Sequence, residues 1–476
     1  MGRKIVVLFV AVAVLCMTIP AYATTDEWWK KAAAPYKGIT LKGIGQSTPP
    51  SEVVRDVIAP EFEKLTGIKI DFEVQPWGVQ YEKVIRDMDT GAGIYDFAYI
   101  EQDGIYGFLQ KDWLVDMTKI WQEHPELTDP DLDLADFTKF IEYYKDPATG
   151  HIYGLPFEAF LKMYVYRTDL FEDPEIMRAF KSEYGWDLRP AINWEEYEQI
   201  AKFFTEWGKK KGIELYGHTA QAKTGYQALP YEMVESIWPT WGIYNWGINL
   251  NNWRTSVKNG GTLNSDLAKE AFRWYIDMLQ YAPPGVKTYT WDEEAASLAA
   301  GKVAQGLTYC EFLGALLAVP EKSKIVGKFA VTMPPSSPQS MNEAVRGIGY
   351  LGYYDGASYS ILHAAKNPLP AALFIQFIVR KDFAIEYARR ASRVVRKSTF
   401  ASPMLKELDQ QQGGYFTAFQ KYEFLFAGAA PLPMHLVIID IYMDWISKAV
   451  AGEVSPDDAL DSLAEEIDST MIEMGY

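Results

Sequence analysis

The run His151-Ile-Tyr-Gly-Leu-Pro-Phe-Glu-Ala-Phe-Leu-Lys-Met-Tyr-Val-Tyr-Arg-Thr-Asp-Leu-Phe171 limits what this chain can become more than any other stretch. Its second half sets Leu161, Met163 and Val165 against Lys162, Tyr164 and Tyr166, the period-two pattern of a half-buried strand. Pro156 stands just ahead of it. A residue with a fixed φ and no N–H suits a passage between two sheets better than the middle of one. The stretch therefore reads as a strand that crosses between two lobes.

The N-terminus has Arg3 and Lys4, an uncharged apolar run from Ile5 to Met17, and then Ala21-Tyr-Ala23. A basic start, a short apolar centre and a small-x-small end are the three parts of a secretory signal. Residues 1–23 are expected to be cleaved and the mature protein to be periplasmic. Losing Cys16 with that segment leaves Cys310 alone, so the mature chain has no internal disulfide to lean on. The full sequence has 476 residues, and what remains after cleavage is enough for the cores of two domains. A formal charge of -17 repels nucleic acid and anionic membrane surfaces, which sets both aside as partners. The 15 Trp and 30 Tyr are sufficient to supply stacking faces in a concave site for sugars.

From residue 39 the pattern alternates strand and helix. Ile39-Thr-Leu41 is extended, and Gly43-Ile-Gly-Gln-Ser-Thr-Pro-Pro50 reads as a loop. Ser51 is placed to cap a helix with Val53, Val54, Ile58, Phe62 and Leu65 on its inner stripe, and Gly67 follows its end. Further strands are expected over 68–74 and 95–99, with a helix over 81–89 between them. Such alternation builds a parallel, doubly wound sheet whose ligand lies beyond the carboxyl ends of the strands. Gln46, Ser47, Trp77, Glu101, Gln102 and Asp103 fall at those ends and are candidate ligand contacts. Asp96, at the start of a strand, reads instead as a carboxylate capping a backbone turn. Asn193-Trp-Glu-Glu196 and Thr290-Trp-Asp-Glu293 read as helix-opening capping boxes, and the spacing of Trp238 and Trp241 puts both in a core.

Catalytic motifs break off before completion. Gly43-Ile-Gly45 begins a dinucleotide fingerprint, yet Thr48 stands where the third glycine belongs. Gly356-Ala-Ser358-Tyr-Ser360 starts a nucleophile elbow and lacks its final glycine. His124, His151, His218, His363 and His435 share no metal-ligand spacing, so no metal or other cofactor is expected. Acid pairs are too frequent in an acidic chain for their spacing to mark a glycosidase dyad.

Tyr-Gly-Leu-Pro156 followed by an extended run to Tyr-Arg-Thr-Asp-Leu-Phe171 resembles the first hinge crossing of extracellular solute-binding proteins, the sugar-type receptors of ABC importers. Asp96-Phe-Ala-Tyr-Ile-Glu-Gln-Asp103, the segment from Leu298 through Gly301-Lys302 to Phe312, and Arg393-Val-Val-Arg-Lys-Ser398 resemble further segments of that family. The resemblance implies an α/β, two-lobed periplasmic-binding-protein fold of type II, each lobe a doubly wound sheet, with three hinge crossings. Lobe 1 would comprise 24–156 and 329–388, and lobe 2 would comprise 157–328 and C-terminal helices in 389–476. It also implies contacts from Glu158 and Phe160 in the first crossing, Tyr226 at a helix entrance, and Tyr309, Glu311 and Phe312 after a short strand. Tyr353, Tyr354 and Asp355 stand where relatives carry Gly-Gly-Trp, and His435 ends a loop, Pro431-Leu-Pro-Met-His435, that lies near the cleft in relatives.

The expected function is that of a receptor and not an enzyme. A monomer would capture a sugar, oligosaccharide or polyol by hinge closure and deliver it to ABC permease subunits in the membrane. Two rivals are a secreted carbohydrate-active enzyme and a receptor of the same fold for a phosphorylated polyol or glycerophosphodiester. A phosphate ligand would call for an arginine or helix-end cluster, which the first-lobe loops lack.

Overall fold

Among the residues described by the computed structural model, 25–432 and 434–476, eight strands form two sheets. The expected signal segment, 1–23, lies outside them. The strands are β1 (Thr40–Gln46), β2 (Lys69–Gln75), β3 (Phe97–Glu101), β4 (Leu155–Leu161), β5 (Met163–Arg167), β6 (Gln305–Thr308), β7 (Phe329–Thr332) and β8 (Tyr354–Ile361). The larger sheet has the order β2-β1-β3-β8-β4, and the smaller has β6-β5-β7.

In the larger sheet β1 runs parallel to β2 and β3, with helical segments 49–66 and Trp77–Thr90 as the connections. β1 continues to Gln46, through the stretch expected to be a loop. Gly43 and Gly45 belong to the strand because the rings of Phe97 and Phe72 lie where their side chains would be. The cap of the following helix is Thr48 rather than Ser51: its Oγ1 accepts the Ser51 N–H at 3.4 Å, and Pro49 and Pro50 fill the first turn, where a missing N–H costs nothing. Asp96 behaves as expected, accepting the Lys42 N–H at 3.0 Å and the Asn367 N–H at 2.8 Å. The helix Pro368–Ile378 is buried along nearly its whole length and sets Phe374 and Phe377 against Phe62 at 5.0 and 5.1 Å.

The smaller sheet departs from the doubly wound pattern. β5 is its centre and pairs antiparallel with both β6 and β7. A parallel Tyr216–Val303 bridge extends its margin. With flanking strands of four residues each, the helices Trp194–Lys211, Asp266–Met278 and Trp291–Ala299 carry most of this half.

The first passage between the sheets falls at Lys162, the single residue between β4 and β5, and not at Pro156. Pro156 lies inside β4 beside a bulge, where the register to β8 shifts between Pro156 and Glu158. A bulge is where a strand tolerates proline. Opposite it, Gly356 (φ 145°) is required, because a Cβ there would stand 2.4 Å from the Glu158 carbonyl oxygen. Residues 329–332, expected in lobe 1, pair with β5 as β7. The chain rejoins the larger sheet only at β8, which enters antiparallel between β3 and β4.

Candidate functional site

β1, β2 and β3 end, and the antiparallel β8 begins, along one edge of the larger sheet. That edge faces the segment after β6 and the helices of the smaller half across a narrow cavity of about 60 Å³, smaller than ordinary small-molecule sites, so a ligand fits only when the two halves stand further apart. The larger half contributes Gln46, Ser47, Thr48, Trp77, Tyr99, Glu101, Phe160 and Asp355. The smaller half contributes Tyr231, Glu235, Trp291, Asp292, Tyr309, Glu311 and Phe312, and Arg393 sits between them.

Of the expected contacts, Gln46, Ser47, Trp77, Glu101, Phe160, Tyr309, Glu311, Phe312 and Asp355 line this cavity. The other seven lie elsewhere. Gln102 turns away, its Oε1 accepting the Ala429 N–H at 3.0 Å. Asp103 and His435 meet behind the wall, Nε2 to Oδ2 at 3.2 Å, and the Tyr231 hydroxyl donates to the same Asp103 oxygen at 3.0 Å. Glu158 lies beneath the cavity floor, accepting the Tyr99 hydroxyl at 2.8 Å. Tyr226 packs beside Trp291 at 5.4 Å without reaching the cavity. Tyr353 and Tyr354 are fully buried core residues, bonded to the Trp246 indole N–H and to Thr138 respectively.

Sequence reasoning missed Thr48, Tyr99, Tyr231, Glu235, Trp291, Asp292 and Arg393. Trp291 and Asp292 belong to the expected capping box, which is present, with the Thr290 N–H donating to Glu293 at 2.8 Å. The cap explained Glu293 and concealed that its neighbours face the cavity. Tyr231 precedes a π-turn over Met233–Ile237 and Glu235 lies within it, which rotates Glu235 away from the face that a regular helix would give it.

Most polar groups of the wall already have partners. The Trp77 indole donates to Glu101 at 2.6 Å and the Tyr309 hydroxyl to Glu235 at 2.5 Å. Arg393, almost wholly buried, pairs with Glu311 at 2.5 Å and Glu158 at 3.3 Å and lies over the Phe160 ring at 3.8 Å. Burial and nearby acids push Glu101 and Glu235 well above the ordinary carboxyl range. Burial raises Glu158 to about 7 against the pull of Arg393, and burial with Asp103 raises Asp355 to about 7.

These shifts have a sign. Glu158 and Asp355 keep their protons in the folded protein up to about pH 7, whereas unfolded carboxyls lose theirs near pH 4. Over that interval the folded state binds more protons, so each group lowers stability by up to about 1.4 kcal/mol per pH unit as pH rises. His218 and His435, depressed by burial to about 4 and about 3, act oppositely below the ordinary histidine value. Above about pH 7 the unfolded histidines are mostly neutral and the carboxyls dominate, so the urea midpoint should drop between about pH 7 and 8. Glu158→Gln should reduce that drop; an unchanged midpoint in the parent protein would contradict the assignment.

The chain is 24% identical to a binding protein of Brucella abortus (strain 2308) over 380 residues, 76% of this chain and 79% of that one. It is 21% identical to a protein of Sinorhizobium fredii, named as an amino-acid ABC transporter periplasmic-binding protein, over 93% of this chain and 91% of that one. An ABC transporter solute-binding protein from Agrobacterium radiobacter K84, solved in complex with ribitol, superposes with a TM-score of 0.74 at 23% identity, covering 91% of this chain and 99% of that one. The sequence profile of one family matches residues 45–384, a span that contains β2 to β8, the end of β1 and every cavity-lining residue but Arg393, and by that match this chain belongs to the bacterial extracellular solute-binding proteins.

Proposed function

We propose that this protein captures a polyhydroxylated small molecule, a sugar or polyol, between its two halves and hands it to the permease of an ABC importer. The observation that carries this reading is the composition of the cavity wall: aromatic rings from both halves alternate with carboxylates and amides. Rings cover the apolar C–H faces of a sugar while polar groups bond its hydroxyls. The ribitol carried by the Agrobacterium relative supports the same class. Contacts made from both halves exist together only when the halves approach, so binding would shift the population toward the closed form.

The Sinorhizobium relative raises an amino acid as a second reading. An amino acid brings an α-carboxylate that calls for a cation, and Arg393 is already occupied by Glu311 and Glu158. That favours a ligand without an acidic group, which also weighs against phosphorylated polyols. A receptor role, rather than hydrolysis, agrees with Glu101 and Glu235 being held by ring donors. Export to the periplasm and action as a monomer complete the proposal.

A thermal-shift screen over sugars, polyols, amino acids and sugar phosphates tests it. A ligand at a hundred times its dissociation constant adds about 2.7 kcal/mol of stability. Trp77→Ala and Tyr309→Ala should each weaken binding about tenfold or more, about 1.4 kcal/mol. Stabilisation by amino acids or phosphates alone would overturn the reading.

A further inference from the structure

The cavity has an excess of negative groups that its own cation does not balance. Arg393 is committed to Glu311 and Glu158. Lys162, behind Tyr309, is committed to Glu232. Among the described residues, no cation lies within ion-pairing distance of Glu235 and Asp355, which are buried, of half-buried Glu101, or of Asp292 at the exposed rim. A buried carboxylate without a counter-charge is costly, and it either takes up a proton or meets a cation. Glu101 and Glu235 are pushed well above the ordinary range, and Asp292 is raised to about 6.

A second observation concerns unmet hydrogen bonds. Two cavity-lining side chains, each more than nine-tenths buried, carry an oxygen with no partner: Asp355 Oδ1 and Gln46 Oε1. Both are acceptors, and the orphaned donor of the lining, Arg393 Nε, is turned to the Glu158 carboxylate at 3.3 Å, so what the cavity lacks is donor hydrogens. An ammonium supplies three donors and no acceptor. The rings of the wall, Trp77 and Trp291 among them, add faces that attract cations.

We infer that the ligand carries a positive charge as well as hydroxyls: an amino sugar or amino polyol whose ammonium sits among Glu101, Glu235, Asp292 and Asp355. The inference rests on the polyhydroxyl reading above and narrows it. The ammonium would donate to Asp355 Oδ1 and Gln46 Oε1, and the carboxylates would be ionised in the complex because the ligand supplies their counter-charge.

Calorimetric titration of the purified protein with matched pairs tests this: D-glucitol against D-glucamine, D-glucose against D-glucosamine, with choline as an ammonium that lacks the polyol. The amine of a pair should bind at least about tenfold more tightly than its neutral partner. Asp355→Asn should shrink that gap, as should Asp292→Asn, a more exposed site where folding is less at risk. Neutral members binding as tightly as the amines would overturn the inference and leave the polyhydroxyl reading standing. Choline binding as tightly as the amines would support the charge and overturn the polyhydroxyl reading. Binding by none of the five would overturn both.

Discussion

Arg393→Met should lower the unfolding free energy by about 3–5 kcal/mol, the usual cost of breaking a buried ion pair from one side. Arg393 answers two buried carboxylates, Glu311 at 2.5 Å and Glu158 at 3.3 Å, from opposite halves of the molecule. Methionine fills the space, leaves Glu311 without its cation and removes the one charge that holds Glu158 down, so that Glu158 keeps its proton. Urea unfolding at pH 7 measures the loss. Adding Glu158→Gln and Glu311→Gln to the same chain should restore much of it, since removing all the charges together leaves none unpaired. Arg393→Lys should be intermediate, because an ammonium is a point donor and cannot lie flat on Phe160 while serving two carboxylates. A loss below about 1 kcal/mol, the scale of an exposed pair, would show that the guanidinium is not the bond between halves described above.

Lys162→Met is the second large effect, again about 3–5 kcal/mol. Lys162 is the one residue between the two sheets, and its ammonium is paired with Glu232, also buried. Glu294 and Glu235 lie close enough to raise the lysine further. Removing this cation leaves three acids facing an apolar strand junction. The double variant Lys162→Met with Glu232→Leu should recover most of the stability, as apolar replacement of a whole buried pair commonly does. Small-angle scattering with and without ligand would then separate stability from closure. If the pair also sets the angle between the halves, the rescued variant will be stable and yet differ from the parent in its open dimensions.

The parts of this structure legible in the sequence are those where one residue type had one reason to be present. Thr290 and Glu293 close a helix start, and Asn193 does so with the Glu196 N–H at 2.9 Å. Asp96 read more readily as a cap than as a ligand contact, and it accepts the Lys42 and Asn367 N–H groups. Strand ends pointed to Gln46, Trp77 and Glu101 because a parallel sheet puts its ligand there. Residues with two possible duties were not legible. β8 is an interior strand buried on both faces, so alternation in its sequence carries no direction, and Tyr354, with the equally buried Tyr353 just before the strand, could be mistaken for ring faces of the site. Glu158 and Phe160 are two apart and were expected to act alike, yet Glu158 supports the floor from below while Phe160 lines the cavity. Arg393 was noticed as part of a crossing but not as the cation of the site, because only the fold brings Glu158 and Glu311 to it across gaps of more than 80 residues.

The position of β8 also governs the order of events as the chain folds. Strands β3 and β4 flank a slot filled by residues 354–361, which are synthesised long after β3 ends at Glu101 and β4 at Leu161. Until they arrive, two strand edges stand with unpaired amides, a state prone to pairing with other chains. Contacts so distant in sequence close slowly. The vulnerable interval for this protein is therefore the wait for this interior strand, and it ends when that strand slides into place.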